Sequence, residues 1–449
     1  MFYSTNKTAP EVEFGKALIT GQAPDKGLYL PKEIPQISAD EIRSLQKRSY
    51  PEIARFVIGK FVPDSLSPNR LLRLCNEAYT FDVPLEQVSG KQYIMRLDQG
   101  PTASFKDFAA QMMARLFSVV LENDKKELII LTATSGDTGS AIAHAFYQIP
   151  NIKVMVLFPP SEVSNRQRKQ MTTLGENITI VGIDGKFDDC QALVKRAFSD
   201  SALRELSLTS ANSINVGRLL PQIVYYVYAY CKLAKDGEPI VFSVPSGNFG
   251  NMMGALLAER MGLPIQRLVI ATNANDEVPI FLKRGIYQKI VPSRVCISNA
   301  MNVGHPSNFV RVIDLYGGWM DEVGVIHKPP DIEWMRRELW SVSIHDDETR
   351  ETIRNAWESH RLLLEPHGAV GWAGLNRFVK EEKLTDDLLM VSVETAHPAK
   401  FPEEIEGLLG FSPDVPESLS AIENKKEHYL NLPNDYSAFR DLLQEKYGS

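Results

Sequence analysis

Short apolar segments alternate with amphipathic segments through the middle of the chain, and this alternation limits the fold more than any other feature. The apolar segments predict buried strands at Leu128–Thr132, Val154–Phe158, Ile178–Val181, Ile240–Val244, Leu268–Ala271 and Leu388–Val393. Helical spacing predicts helices between most of them, at Ala141–Tyr147, Gln191–Phe198, Leu219–Leu233 and Gly254–Met261. Such alternation is typical of parallel sheets covered by helices, so the predicted fold class is α/β. Ligands of these folds bind at the carboxyl ends of the strands.

The N-terminal part of the chain has a different pattern. Helical spacing predicts helices at Glu41–Gln46, Pro51–Phe61 and Ser67–Ala78, after a Pro- and Gly-rich loop at residues 22–31. We therefore expect a mostly α-helical N-terminal module. A chain of 449 residues is long enough for two or three domains in all.

Charge and cysteine content argue against several functional classes. The net charge is −7 and no basic stripe with interleaved aromatic residues is present, so nucleic acid is not an expected partner. The four cysteines form no C-x-x-C pair and the histidines form no H-E-x-x-H motif, so no metal site is expected. The chain has no signal-peptide profile and no apolar run that could span a bilayer. We expect a cytoplasmic protein without a membrane partner, since isolated thiols suit a reducing compartment.

One lysine lies where a turn meets an apolar helix. Gly100 and Pro101 mark the turn, and apolar residues recur at helical spacing from Phe108 to Leu121. Lys106 therefore lies near a helix start, where the helix dipole disfavours a cation. With partial burial, this setting lowers the pKa of the amine and favours a nucleophile that can hold an aldehyde cofactor as a Schiff base. The alternative is a solvated surface lysine, which is the commoner situation.

Two glycine-containing turns, residues 132–140 and 244–251, each follow a predicted strand and precede a predicted helix. Backbone N–H groups in such turns approach anions closely, so a carboxylate or phosphate fits the first turn and a phosphate fits the second. Neither contains the G-K-[ST] sequence of a P-loop, which disfavours a nucleotide enzyme of that class. The alternative for each is a capped turn without a ligand.

Two further polar positions are candidates for ligand contacts. Arg311 lies at a predicted helix start and could pair with a dianionic phosphate, or with Asp314 as a surface i, i+3 pair. Thr395 follows a predicted strand and is placed to hydrogen-bond a cofactor.

Taken together and in their order along the chain, the motifs resemble those of the threonine synthase family. Members of that family are pyridoxal-phosphate enzymes of the tryptophan-synthase-β-like fold. The resemblance covers nearly the whole chain, through residues 3–5, 27–31, 100–108, 135–139, 212–218, 245–251, 307–311, 365–371 and 396–401. It implies two parallel-sheet α/β domains and an additional mostly α N-terminal module. The implied boundaries are 1–92 for the module, 93–104 with 211–449 for a large cofactor-binding domain, and 105–210 for a smaller, mobile domain.

The resemblance also implies roles for individual residues. Lys106, in the pattern G-P-T-x-x-F-K-D-F, would carry the Schiff base to pyridoxal 5'-phosphate and act as the catalytic base. The implied cofactor contacts are Lys106, Ser246, Gly247, Asn248, Phe249, Gly250, Asn251 and, at the pyridine nitrogen, Thr395. The implied substrate contacts fall into two groups. Those for the substrate carboxylate, which could instead lie against the cofactor ring, are Ser135, Gly136, Asp137 and Thr138, and those for the substrate phosphate are Asn215, Ser307, Asn308 and Arg311.

The activity implied is that of a carbon–oxygen lyase which converts O-phospho-L-homoserine and water into L-threonine and phosphate, the last step of threonine biosynthesis. Such an enzyme would be a monomer or a homodimer. One alternative is a deaminase or β-replacement enzyme of the same fold, acting on serine or threonine. Another is a non-catalytic relative that binds phosphoesters. The phosphate-handling residues 307–311 argue against the first alternative, and Lys106 argues against the second.

Overall fold

The computed structural model describes residues 1–63, 66–122, 127–235, 237–385 and 387–448. Its strands are β1 Phe2–Ser4, β2 Tyr29–Pro31, β3 Leu85–Ser89, β4 Gln92–Arg96, β5 Leu128–Ala133, β6 Ile152–Phe158, β7 Ile178–Asp184, β8 Leu208–Thr209, β9 Ile240–Pro245, β10 Ile265–Thr272, β11 Trp319–Met320, β12 Ile326–Lys328, β13 Leu339–Ser343, β14 Leu389–Glu394 and β15 Leu430–Pro433. Its helices are α1 Phe14–Thr20, α2 Ala39–Leu45, α3 Tyr50–Gly59, α4 Pro68–Ala78, α5 Lys106–Val120, α6 Asp137–Phe146, α7 Asn165–Thr172, α8 Phe187–Ser199, α9 Val216–Leu219, α10 Ile223–Leu233, α11 Gly250–Arg260, α12 Glu277–Arg284, α13 Phe309–Leu315, α14 Ile332–Glu338, α15 Asp346–His360, α16 Pro366–Glu381, α17 Pro402–Leu409, α18 Glu417–Ser420 and α19 Tyr436–Tyr447.

The larger sheet has six strands in the order β13-β10-β9-β14-β4-β3. All neighbours pair in parallel except the β3–β4 hairpin. The central strands β9 and β14 are buried along their whole length, as expected where helices cover both faces of a sheet. Because β9 and β14 are adjacent and parallel, the turn after Pro245 and the residue Thr395 leave the sheet at the same edge.

The smaller sheet has five parallel strands in the order β15-β7-β6-β5-β8. Helix α5 leads from the edge of the larger sheet to β5 and packs against α6, which follows β5. The first glycine turn therefore leaves the smaller sheet at the carboxyl end of β5, and the second leaves the larger sheet at the carboxyl end of β9. The first turn lies beside the start of α5, where Asp137 Oδ2 is 3.9 Å from Lys106 Nζ.

The strands and helices predicted from periodicity are confirmed, with ends displaced by a few residues. One helix differs from its prediction. The segment Leu219–Leu233 is divided into α9, a 3-10 turn at Leu220–Gln222 and α10. Pro221 lies in this turn, and proline removes a backbone donor and clashes with the preceding turn of a helix.

Strand pairing departs from the predicted domain boundaries at two places. Residues 85–89 were expected in the N-terminal module, but they form β3 and pair with β4 in the larger sheet. Residues 430–433 were expected in the large domain, but they form β15 and extend the smaller sheet beside β7. Each segment belongs to the sheet with which its backbone forms hydrogen bonds, even where its position in the chain suggested another domain. Mobility of the smaller domain remains a prediction.

The N-terminal module packs against the start of α5 through aromatic side chains. The rings of Tyr50 and Tyr79 lie 5.5 Å and 6.1 Å from the ring of Phe108, which also contacts Tyr225 at 5.7 Å. These contacts hold the helix that begins at Lys106 between the module and α10. Among the described helices, none is both long enough and apolar enough to cross a membrane.

The surroundings of two helical glycines predict opposite effects of an alanine substitution on stability. A Cβ added to Gly254 would lie 2.7 Å from the carbonyl oxygen of Gln222, whereas a Cβ added to Gly407 meets no described atom within 4 Å. Gly254→Ala should therefore lower the free energy of unfolding by about 1–3 kcal/mol through overpacking. Gly407→Ala should raise it by up to about 1 kcal/mol, because alanine favours helix. Urea unfolding followed by circular dichroism measures both, and equal changes would contradict the packing of α11.

Candidate active site

Lys106 is the first residue of α5, as the sequence predicts. The preceding turn is closed by Asp107, whose carboxylate accepts hydrogen bonds from the N–H and hydroxyl groups of Thr102 at 2.8 Å and 2.7 Å. The N–H of Phe105 donates to the carbonyl of Thr395 at 2.9 Å, just beyond β14. The backbone thus brings Lys106 and Thr395, two predicted cofactor contacts, to the same edge of the larger sheet.

The environment of Lys106 gives it a larger fraction of neutral amine than an ordinary lysine has. Only 14% of the side chain is exposed, and burial lowers the pKa of Lys106 to about 8. Asp137 acts in the opposite direction, with Oδ2 at 3.9 Å from Nζ, whereas Lys400 and Arg218 lower the pKa further. A neutral lysine amine serves as a nucleophile and as a general base.

The predicted phosphate-binding turn, residues 246–251, joins β9 to α11. Phe249 adopts a left-handed conformation, with φ of 62°, and α11 begins at the next residue. Within the described part of the chain, the backbone N–H groups of residues 247–251 have no hydrogen-bond acceptor. Five free N–H groups at the start of a helix suit an anion such as a phosphate.

The side chains at the two ends of this turn differ in what they can offer a ligand. Asn251 Oδ1 accepts hydrogen bonds from the hydroxyls of Tyr225 and Tyr226, each at 2.6 Å. Its Nδ2 is buried and has no partner among the described residues, so it is available as a donor. Ser246 instead donates its hydroxyl to the carbonyl of Val244 at 2.9 Å. The free N–H groups and the free amide of Asn251 fit the phosphate of the predicted cofactor.

The other polar side chains near the turn hold its shape. Asn248 Nδ2 donates to Ser213 Oγ at 2.7 Å, and Asn248 Oδ1 accepts from the N–H of Ser307 at 2.6 Å. Asn308 Nδ2 donates to the same Oγ at 3.1 Å and to the carbonyl of Asn248 at 3.0 Å. Asn308 was predicted to contact substrate, but its amide is occupied by these groups. It supports the turn instead.

Arg311 also differs from its predicted role. Its side chain is fully buried, and its N–H groups donate to the carbonyls of Tyr29, Ser213 and Ile214 and to the side chain of Asn308. Burial lowers the pKa of Arg311 to about 9, which leaves the guanidinium charged at neutral pH. A guanidinium whose donors all bond protein groups has none left for a substrate phosphate, and it does not form the predicted alternative pair with Asp314.

Two more predicted substrate contacts are directed at protein groups. Asn215 Nδ2 donates to the carbonyls of Leu18 and Ser210 at 2.8 Å and 2.9 Å, and its Oδ1 caps α9 by accepting from the N–H of Gly217. Its amide therefore joins the N-terminal module to the start of α9. Asp137 is an anion, so its carboxylate repels a substrate carboxylate, and its oxygens face lysines instead.

The backbone of the first glycine turn remains suitable for a carboxylate. Thr134 Oγ1 accepts hydrogen bonds from the N–H groups of Gly136 and Gly139, which fixes the turn before α6. No acceptor within the described chain is bonded to the N–H groups of Ser135, Asp137 and Thr138. These groups lie at the start of a ten-residue helix, where an anion is favoured.

Sequence reasoning missed two buried cations. Arg218 is 3% exposed, and its Nε has no partner among the residues described. Burial lowers the pKa of Arg218 to about 10, so it remains charged near Lys106. Lys400 is fully buried and lies 2.7 Å from Asp137 Oδ1. Both residues lie in segments used for the family resemblance, 212–218 and 396–401, but their burial depends on tertiary contacts.

Known proteins match the chain along its whole length. The family model of the pyridoxal-phosphate dependent enzymes matches residues 79–395, and models of the threonine synthase N terminus and the threonine synthase C-terminal region match residues 1–79 and 368–443. The threonine synthases of Escherichia coli K12 and Haemophilus influenzae are 38% and 39% identical to it, covering 98% of this chain and 98% and 99% of theirs. The crystal structure of PLP-bound threonine synthase from Brucella melitensis matches with a TM-score of 0.92 at 35% identity, covering 100% of this chain and 99% of that one. The similarity includes the N-terminal module.

The contacts of Arg311 predict a loss of stability when it is replaced. Arg311→Met leaves several buried oxygens without donors, and we expect the free energy of unfolding to fall by about 2–5 kcal/mol. Arg70→Met is the matched control, because Arg70 makes a partly exposed ion pair with Glu122 whose loss costs less than about 1 kcal/mol. Urea unfolding measures both. Unchanged stability of Arg311→Met, combined with weaker substrate binding, would restore the role predicted from sequence.

Proposed function

The chain belongs to the threonine synthase family of pyridoxal-phosphate-dependent enzymes, and we propose that it makes L-threonine and phosphate from O-phospho-L-homoserine and water at the site around Lys106. The observation that carries this proposal is a lysine at a helix start whose side chain is largely buried and whose pKa is lowered. A turn with free N–H groups leaves the larger sheet at the same edge, after β9. The four cysteines are buried and unpaired, which supports a reducing cytoplasmic location.

Three parts of the chain are suited to hold the cofactor. Lys106 Nζ would bind it covalently, and the N–H groups of residues 247–251 with Asn251 Nδ2 would bind its phosphate. Thr395 would face the ring nitrogen, and a hydroxyl there does not keep that nitrogen protonated as a carboxylate would. When bound, pyridoxal phosphate supplies an electron sink that stabilises a carbanion at the substrate Cα.

The chain's own residues supply binding and proton transfer. The free N–H groups of Ser135, Asp137 and Thr138 receive the substrate carboxylate, in place of the side chains predicted from sequence. Arg218 receives the substrate phosphate, because it is a buried cation whose Nε lacks a partner in the described structure. Lys106 Nζ would take the proton from Cα once the substrate's own amine has replaced it on the cofactor, since a neutral amine tethered beside this carbon is an effective base.

The site argues against a deaminase or β-replacement enzyme acting on serine. Neither of those reactions requires a group for a substrate phosphate, yet Arg218 is buried near Lys106 and, among the described residues, forms no ion pair with a carboxylate, since Asp107 acts on it only from beyond ion-pair distance. Burying a cation is costly unless a ligand or a partner compensates for it. A dianionic substrate provides that compensation.

Activity measurements distinguish these reactions directly. The purified protein with pyridoxal phosphate should release phosphate and form L-threonine from O-phospho-L-homoserine, and it should be much less active on L-serine.

Lys106→Ala should abolish threonine formation and preserve the far-ultraviolet circular dichroism. Lys153→Ala, which removes a partly exposed lysine on β6, should leave activity unchanged. Borohydride reduction followed by mass spectrometry should locate a pyridoxyl adduct on Lys106.

The reaction assignment is refuted if phosphate is released without threonine. Near-normal activity of Lys106→Ala, or an adduct on another lysine, would instead refute the assignment of the reactive amine.

Arg218 should affect substrate binding more than cofactor binding. Arg218→Gln removes a charged donor, which is worth about 1.5–3 kcal/mol, so the KM for O-phospho-L-homoserine should rise by about tenfold or more. The absorption spectrum of the bound cofactor should be retained. An unchanged KM with a lost cofactor spectrum would assign Arg218 to the cofactor instead.

A further inference from the structure

Asp137 lies between two lysine amines that come from different parts of the fold. Its Oδ1 is 2.7 Å from Lys400 Nζ, and its Oδ2 is 3.9 Å from Lys106 Nζ. Gln167 Nε2 also donates to Oδ1 at 2.9 Å. The carboxylate is therefore bonded to Lys400 and lies beyond hydrogen-bond distance of Lys106.

The contact between Lys400 and Asp137 joins the two sheets. It follows β14 of the larger sheet in a 3-10 turn, whereas Asp137 begins the helix that follows β5 of the smaller sheet. Its side chain is fully buried, and Nζ also donates to the carbonyl of Thr102 at 2.9 Å. Thr102 belongs to the turn that precedes Lys106, so Lys400 contacts both the turn and the neighbouring carboxylate.

The charged groups around Lys106 come from four elements. Asp137 from α6 and Glu365 before α16 favour its ammonium form, while Lys400 and Arg218 oppose it. Around Asp137, burial acts to raise the pKa, but Lys400 and Lys106 hold it well below its usual range. Asp137 is thus an anion in this site, and the position of its charge decides how strongly it attracts a proton to Lys106.

We propose that Lys400 is a positioning residue that binds the Asp137 carboxylate, and so limits the pairing of this carboxylate with the Lys106 ammonium and favours the neutral, reactive amine. This inference rests on the proposed function, in which Lys106 is the nucleophile and base. Without Lys400, Asp137 would be a buried carboxylate whose remaining cation is Lys106. The two would form a close ion pair, because an unpaired buried charge is costly. Lys106 would then be held as an ammonium ion, which is neither a nucleophile nor a base.

The ion pair between Lys400 and Asp137 does not depend on the state of Lys106. When Lys106 is bound covalently to a carbonyl carbon, its amine no longer offers Asp137 a simple ammonium partner. Lys400 is joined to Asp137 independently of that bond, at 2.7 Å. Asp137 therefore keeps a cationic partner in each state of Lys106, and its charge does not have to be neutralised by proton uptake.

The test is the titration of Lys106 in protein stripped of cofactor. Trace acetylation between about pH 6 and about pH 10, quantified by mass spectrometry of the Lys106 peptide, gives the midpoint of its deprotonation, and Lys153 in the same samples is an internal reference. Lys400→Met should raise the Lys106 midpoint by about one unit or more, in line with the effect of a close opposite charge. Lys400→Arg, which keeps the charge, should leave it near the parental value.

Two matched variants separate this effect from a structural one. Gln170 donates to the same Thr102 carbonyl at 2.9 Å and forms no hydrogen bond with Asp137 in the described structure, so Gln170→Met removes support of the turn and should not move the midpoint. The double variant Asp137→Asn with Lys400→Met removes the carboxylate as well, and its midpoint should return to the parental value or below it. Should Lys400→Met not fold, Lys400→Gln keeps a donor without the charge and carries the same expectation.

The inference is overturned if the midpoint in Lys400→Met or Lys400→Gln stays at or below the parental value. It is also overturned if Gln170→Met raises the midpoint equally, because the effect then comes from the turn. Both results are independent of whether the cofactor binds Lys106, which the borohydride adduct decides separately.

Discussion

The rest of the structure depends on how Arg311 is buried. Its guanidinium has no contact with solvent and is paired with oxygens of Tyr29 in β2, of residues 213–214 and of Asn308. Burying a cation is unfavourable unless each N–H has an acceptor, so these distant segments must adopt one arrangement for any of them to be stable. Through Asn308 and Ser213 the same arrangement reaches the turn at 246–251. The N-terminal module is therefore part of the framework of the site.

The sequence predicted the interior of the fold better than its edges. Central strands such as β9 and β14 are buried on both faces and appear as continuous apolar runs. Strands β3 and β15 have largely exposed or half-buried side chains, so no apolar run marks them. They are defined by backbone pairing with β4 and β7, which is a tertiary property. The sequence analysis predicted one continuous helix over Leu219–Leu233 and missed its division, although Pro221 is a strong local signal for such a break.

The site was predictable where local structure determines it. The place of Lys106 at a helix start follows from the turn and helix around it, and the free N–H groups of residues 247–251 follow from a glycine turn before a helix. Arg311 and Asn215 have the residue types expected of ligand contacts, yet protein oxygens and N–H groups occupy them. Lys400 and Arg218 had no distinguishing local pattern. Whether a polar side chain faces a ligand or the protein depends on which segments the fold places around it.

The place of β15 bears on how the smaller sheet is completed. This strand pairs with β7 at the edge of that sheet, yet the larger sheet's strands β9, β10, β13 and β14 all lie between the two in the chain. Pairing of segments so far apart in sequence carries a large loop-closure cost, which makes it slow. Until β15 is in place, the edge of β7 keeps unpaired backbone groups, which are prone to join other strands. The partly folded protein is consequently most exposed to misassembly at β7.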